Sequence, residues 1–220
     1  MVMSQDVATP PGQGERGYHH GNLRQALIAT ALAMAQENGP ERVSVREVAR
    51  RLGVSPGAPF RHFPNRRALM TAIAEEAAVR LRIEVRKSMG KPVADPLGRL
   101  RSIGRGYLAW AHRHPAHFRI ISARDQIDIA GSAALRQEIH EVRGATEQAL
   151  VDAQAMGRIG RGVDVPTLAL LARATVYGLA RMALDGHFAQ WNVAPDDEAA
   201  ASAAALDLLV DLMAASSTGA

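Results

Sequence analysis

Between Ser44 and Arg67 the chain crowds seven side chains that can meet an anion: Arg46, Arg50, Arg51, Arg61, His62, Arg66 and Arg67. Guanidinium groups suit phosphates and the acceptor edge of guanine. The small residues Ser55, Pro56, Gly57 and Ala58 interrupt this run. They are compact enough to let a backbone approach a groove floor. A second concentration, His112, His114 and His117, falls within six residues and raises metal chemistry. Zinc wants about four ligands in tetrahedral array, yet His112 and His114 would leave a helix on nearly opposite sides. The chain has no Gly-rich phosphate loop, no His-Glu-x-x-His and no nucleophile elbow, so no catalytic residue, metal or cofactor is assigned.

These side chains must be held by helices, because the punctuation is helical throughout. Asn22 with Gln25, and Ser44 with Glu47, have the spacing of capping boxes. The first opens a helix through Leu23, Leu27 and Ala31, stopped at Asn38-Gly39-Pro40. The second opens a short helix with Val45, Val48, Ala49 and Leu52 inward, ended by Gly53. Ser55 then caps a third helix with Pro56 at its first position. Asn65 caps a longer one through Leu81 that ends near Met89. Further helices run from Pro96 to His114, His117 to Ser122, Ser132 to Met156, Pro166 to His187 and Pro195 to Ala214. No β-alternation is visible, so the fold class is all-α.

Helix, Gly-Val-Ser turn and second short helix form a helix-turn-helix, which lays its second helix in the DNA major groove. Periodicity alone equally fits a purely structural helical hairpin with arginines on a solvated face. The residues say more: Gly53-Val54-Ser55-Pro56-Gly57-Ala58-Pro59-Phe60-Arg61-His62-Phe63 resembles the signature of the TetR family of transcriptional regulators. Val45 to Ala49 and Asn65 to Leu69 resemble its flanks. The resemblance covers roughly residues 22–74. It implies DNA-binding roles for Ser44, Arg46, Ser55, Pro56, Gly57, Ala58, Phe60, Arg61, His62, Arg66 and Arg67. Ser44 would cap and touch phosphate, and Arg66 would take the place of a phosphate-binding Lys. Phe60 replaces the usual Tyr and lacks its hydroxyl, while Pro59 replaces a Leu or Ile. Gly17 to Leu23 and Ala58 to Phe63 also resemble one subset of the family. Its Trp-His-Gly-like segment corresponds here to Thr175-Val176-Tyr177-Gly178-Leu179, with Tyr177 in place of His.

The resemblance further implies a three-helix DNA-binding head over residues 18–78, following a disordered leader over 1–17. A long helix would join this head to a helical effector-binding and dimerisation body over 79–220. Charge divides in the same sense. Met1 to Lys91 holds 14 Lys and Arg against 8 Asp and Glu, a balance of +6. The rest holds 12 against 14, a balance of −2, although the whole 220-residue chain carries only +4. A polyanion-binding head on a different kind of body fits that asymmetry.

In the body, Leu168, Leu171, Ala172, Thr175, Leu179 and Met182 recur at helical spacing, as do Ala203, Leu206, Leu209, Val210 and Met213. The family resemblance makes these stripes a homodimer surface; completing the monomer core is the other use they suit. The resemblance implies an organic effector in the body, for which Tyr107, Trp110, Phe118 and Tyr177 are the candidate aromatics; plain core is the other use these rings suit. The expected function is a homodimeric repressor of a near-palindromic double-stranded operator, released by a small organic molecule. Alternatives are a metal-responsive regulator using His112, His114 and His117, or a helical enzyme or carrier that does not bind DNA.

No cysteine is present, which excludes disulfides, thiolate metal sites and thiol redox sensing. The polar start has no signal-peptide core. No run of about 18 apolar residues escapes a charge, so a cytoplasmic protein without a membrane partner is expected.

Overall fold

A computed structural model describes residues 20–90 and 95–215. Every regular element among them is helical. Three helices form the head: α1 (His20–Asn38), α2 (Val45–Leu52) and the first turns of α3 (Arg66–Met89). The body contains the rest of α3 with α4 (Pro96–Arg113), α5 (Pro115–Ser122), α6 (Ala133–Ala155), α7 (Val165–Leu184) and α8 (Glu198–Ala215). The leader, Tyr18 and His19 lie outside the described residues.

Side-chain oxygens start most of these helices. Ser44, Asn65, Asp95, Ser132 and Asp164 each accept from a backbone N–H two or three residues on, filling donors that the first helical turn leaves open. α1 differs from expectation: it spans His20–Asn38, so Asn22 lies within the helix rather than ahead of it. The element after the Gly-Val-Ser turn departs further. No α-helix starts at Pro56. Residues 56–58 form a turn, followed by a 3-10 helix over Pro59–Arg61. In an α-helix capped by Ser55, the N–H of residue 59 would bond the Ser55 carbonyl, and proline has none. Ala58 N–H takes that carbonyl at 3.0 Å instead, which tightens the chain by one residue.

α3 packs on α1, α4, α5 and α6. One continuous apolar core follows it, from Leu27, Leu69, Met70 and Ile73 in the head to Trp110, Phe118 and Ile120 in the body. Gly106 sets how closely α3 and α4 approach, because a Cβ there would lie 2.8 Å from the Val85 Cα. Ion pairs edge the neighbouring seams: Arg82 with Glu138 at 2.5 Å between α3 and α6, and Arg105 with Asp207 at 2.7 Å and Arg101 with Asp211 between α4 and α8.

Candidate functional site

In the head, Gly53 ends α2 at φ 72°, ψ 26°, a left-handed conformation that costs a residue with a Cβ about 1 kcal/mol. The chain reverses there, and Val54 N–H closes the turn on the Ala49 carbonyl at 3.1 Å. Val45, Val48, Ala49, Pro59 and Phe63 are buried beneath. Outside lie Ser44, Arg46, Ser55, Pro56, Gly57, Phe60 and Arg61, with Ala58 and His62 half-buried. A Cβ added at Gly57 would meet nothing within 4 Å, so the backbone there is bare. Phe60 leaves 41% of its surface in water, an expensive position for an isolated ring.

The motif's arginines separate by partner. Arg50 binds Glu47 at 2.5 and 2.9 Å, so the Glu47 carboxylate faces Arg50. Arg51 forks onto Glu37 with two bonds of 2.6 Å. These bonds hold both carboxyls below their usual range. Arg66 turns inward. It donates to the carbonyls of Val43 and Pro40 at 2.7 and 2.6 Å, and to Gln126 Oε1 at 2.8 Å. Arg67 donates to the Ile127 carbonyl at 3.1 Å and lies 3.9 Å from Asp128. Arg46 and Arg61 make no side-chain hydrogen bond or ion pair among the described residues.

Gln126 belongs to a 3-10 turn, Arg124–Gln126, between α5 and α6. Ile127, just after it, is almost fully buried, and Asp128 N–H bonds the Thr71 hydroxyl at 2.8 Å. This loop ties the body to the first turns of α3. Nothing in its sequence announces that role.

The body holds a partly open cavity of about 680 Å³ between α4, α6, α7 and α8. Tyr107, Trp110 and Tyr177 line it; Phe118 lies behind, fully buried, with ring centroids 5.6 Å from Tyr177 and 6.0 Å from Trp110. Thus the four aromatics form one cluster. Three arginines that the sequence did not single out for the effector also line the cavity, Arg124, Arg143 and Arg173. Arg173 stacks over Tyr107 at 4.5 Å and Tyr177 at 5.3 Å. Its place one helical turn before Tyr177 was the available signal; Arg124, in a polar loop, offered none. Burial raises the Tyr107 phenol above its ordinary pKa, with Arg173 opposing.

The two helical stripes divide between core and surface. Leu168, Leu206, Val210 and Met213 are buried within this one chain, whereas Thr175, Leu179, Met182 and Leu209 are half-buried. Leu171 is exposed, beside Leu170 at 68% exposure and Leu208 and Leu212 at about 60%. The four buried positions, with buried Ala172, are therefore monomer core and not free to meet a partner. Spacing could not make that distinction, because a core stripe and an interface stripe share one period. α7 is long and apolar enough to cross a membrane by length and composition. It nonetheless carries Arg173 and Arg181 and packs on α4, α6 and α8.

The histidines do not converge on a metal. His112 is exposed and His114 half-buried, while His117 is buried beside Glu76 at 3.8 Å. Among the described residues no three His, Asp or Glu side chains stand ready to hold an ion. The metal-responsive alternative therefore has no site here.

A helix-turn-helix head on a helical body with a cavity defines a class of regulators, and comparison with known proteins identifies it. Residues 27–73 match the model described as bacterial regulatory proteins, tetR family. Residues 100–209, half of the chain, match the tetracyclin repressor-like C-terminal domain. The chain belongs to the TetR family. It is 46% identical over 52 residues to the class C tetracycline repressor protein of Escherichia coli, a match covering 24% of either chain. It is 28% identical over 102 residues to the nucleoid occlusion factor SlmA of Vibrio cholerae, covering 46% of this chain and 52% of that one. The chain thus spans about a quarter to a half of these two relatives' length. A solved structure from Rhodococcus sp. RHA1, of unknown function, superimposes with a TM-score of 0.74 at 30% identity. That match covers 91% of this chain and all of the other.

Proposed function

We propose that the protein is a homodimeric, sequence-specific DNA-binding regulator, a repressor released from a near-palindromic operator by a small organic molecule. The observation that carries this reading is the surface after Gly53. A bare backbone at Gly57, an exposed Phe60 ring and the unpaired Arg61 stand together on a helix-turn-helix, while Pro59 and Phe63 anchor them from beneath. Phe60 suits a thymine methyl or sugar edge, Arg61 a guanine edge or phosphate, and Arg46 a phosphate. Ser44, Ser55, Pro56, Ala58 and His62 complete the contact surface. Arg67 reaches DNA only if it leaves Ile127, and Arg66 serves the joint with the body.

The head occupies residues 18–78 and the body 79–220, with α3 continuous across the division. Two heads are needed because one short recognition segment supplies little affinity, and a dimer spaced by about one helical turn reads two half-sites. Leu170, Leu171, Leu208 and Leu212, with Ala174 and Ala204 between them, form the dimer face. Four exposed leucines on two helices that pack together are costly to leave in water. The same pairing accounts for the apolar length of α7 without a membrane and fits a cytoplasmic protein. In the Trp-His-Gly-like subset, Tyr177 fills the place of the His and contributes a ring to the cavity. The body acts by binding, and no enzymatic step is assigned to it.

Release follows from the loop that joins cavity and head. Arg124 lines the cavity, and two residues on Gln126 accepts from Arg66. A ligand that favours one position of this turn shifts the head, and DNA must weaken ligand binding by the same factor. A gel-shift and footprint on the DNA upstream of the protein's own gene test the reading. Protection of a near-palindrome supports it; binding with no sequence preference at moderate salt overturns it.

A further inference from the structure

The cavity's lining is apolar except at its rim, where the charges do not cancel. The Glu147 carboxylate there is taken by Arg143 at 2.7 Å. Arg124 and Arg173 have no carboxylate partner among the described residues, although most body arginines do. The two guanidiniums repel, and burial together with Arg173 lowers the Arg124 pKa from its ordinary value. Both guanidiniums are exposed to water at the cavity's mouth, and two like charges there with no carboxylate partner suit an acceptor-rich anion.

We propose that the effector is an organic carboxylate with an apolar body. Its carboxylate lies between Arg124 and Arg173, and its body rests against Tyr107, Trp110 and Tyr177. This rests on the effector reading above and gives that effector its chemical class. A neutral apolar molecule would fill the same volume and leave both guanidiniums uncompensated. The anion also reaches the side chain two residues from Gln126, so its charge acts on the loop that holds Arg66.

The test is calorimetry on the full chain without DNA, comparing dodecanoate with dodecan-1-ol. These probes share an alkyl body and differ in charge. The acid is expected to bind about tenfold or more tighter than the alcohol, as a charge-assisted hydrogen bond implies. Arg124→Gln and Arg173→Gln each bring the acid toward the alcohol's affinity and leave the alcohol unchanged, while Arg173→Lys keeps part of the preference. Alcohol binding by each variant doubles as the check that the cavity has folded. Equal affinities in the unaltered protein, no binding of either probe, or an acid preference that survives both replacements would overturn the proposal. So would variants that lose acid and alcohol binding alike. Operator binding is measured without any ligand, so the DNA-binding reading stands or falls separately. Acid that binds with the predicted preference yet leaves operator affinity unchanged would sustain the anion site and remove its role as effector.

Discussion

The Arg66 guanidinium meets the Gln126 side chain at 2.8 Å across 60 residues of sequence, joining the helix-turn-helix head to the turn at the cavity's rim. The same group also holds the carbonyls of Val43 and Pro40, so it fixes the entry to α2 as well. Arg66→Ala strips three charge-assisted bonds from a half-buried site. Stability should fall by about 2 kcal/mol in urea denaturation. Arg66→Lys should recover little, because an ammonium cannot reproduce the fork. If Arg66 only held phosphate, stability would be unchanged and the salt slope of DNA binding would drop by about one unit.

Gln126→Ala removes the body's side of that contact and leaves the carbonyl bonds intact. Operator affinity without ligand should stay within about threefold of the unaltered protein, while the loss of affinity caused by ligand should shrink. Fluorescence anisotropy on labelled operator, with and without dodecanoate, reads both numbers. An undiminished ligand effect would remove this loop from the route.

Two glycines in the head should behave oppositely. Gly53→Ala forces a Cβ into a left-handed backbone and should cost about 1 kcal/mol in thermal or urea unfolding. Gly57→Val adds a side chain into open space, so unfolding should be almost unaffected. Against DNA the same side chain stands between backbone and groove, and affinity should fall at least tenfold. Equal DNA binding by Gly57→Val would move the contact surface elsewhere.

Stability should respond to acid through His117. Burial, against the pull of Glu76, lowers its pKa from 6.5 to about 4, with Arg80 and His114 adding to the burial effect. The folded state keeps the imidazole neutral, whereas the unfolded chain protonates it below about 6.5. The unfolded state thus binds the extra proton between those values, and stability is lost as pH falls from 6.5 toward 4. Urea midpoints across that range should decline, and His117→Gln should flatten the decline. An equally steep profile in the variant would assign the acid sensitivity to other groups.

Dimerisation is tested on the exposed half of the stripes. Leu208→Lys with Leu212→Lys places two charges on the proposed face and leaves the buried Leu206 and Val210 in place. Analytical ultracentrifugation should show a folded monomer, with operator affinity reduced at least a hundredfold. A dimer of unchanged strength would transfer the interface to another surface.

Much of this architecture is written in local chemistry. Ser44, Asn65, Asp95 and Ser132 mark helix starts because the bond each makes is to its own next turn, and such signals survive any tertiary arrangement. Gly53 marks the motif's turn because few other residues tolerate its φ. What local signals could not convey depends on distant neighbours. Pro59 turned the expected recognition α-helix into a turn and a 3-10 helix by withholding one N–H. Arg66 sits where a phosphate contact was expected, but three acceptors from two distant segments capture it. Leu168 and Leu171 belong to one apolar run, yet only packing decides that the first is core and the second surface. The cavity's aromatics could be identified by type, whereas the charge at its rim appears only where α7 meets the loop after α5.

The most direct measurement of the central claim is a competitive gel-shift with the unaltered protein and Arg61→Ala, on the DNA upstream of the protein's own gene and on unrelated DNA. A specific complex is expected on a near-palindromic site, with affinity falling steeply as salt rises. In Arg61→Ala the complex should weaken, with lost base preference if Arg61 reads a base and uniform weakening if it holds phosphate. Equal affinity for both DNAs at moderate salt would contradict the account.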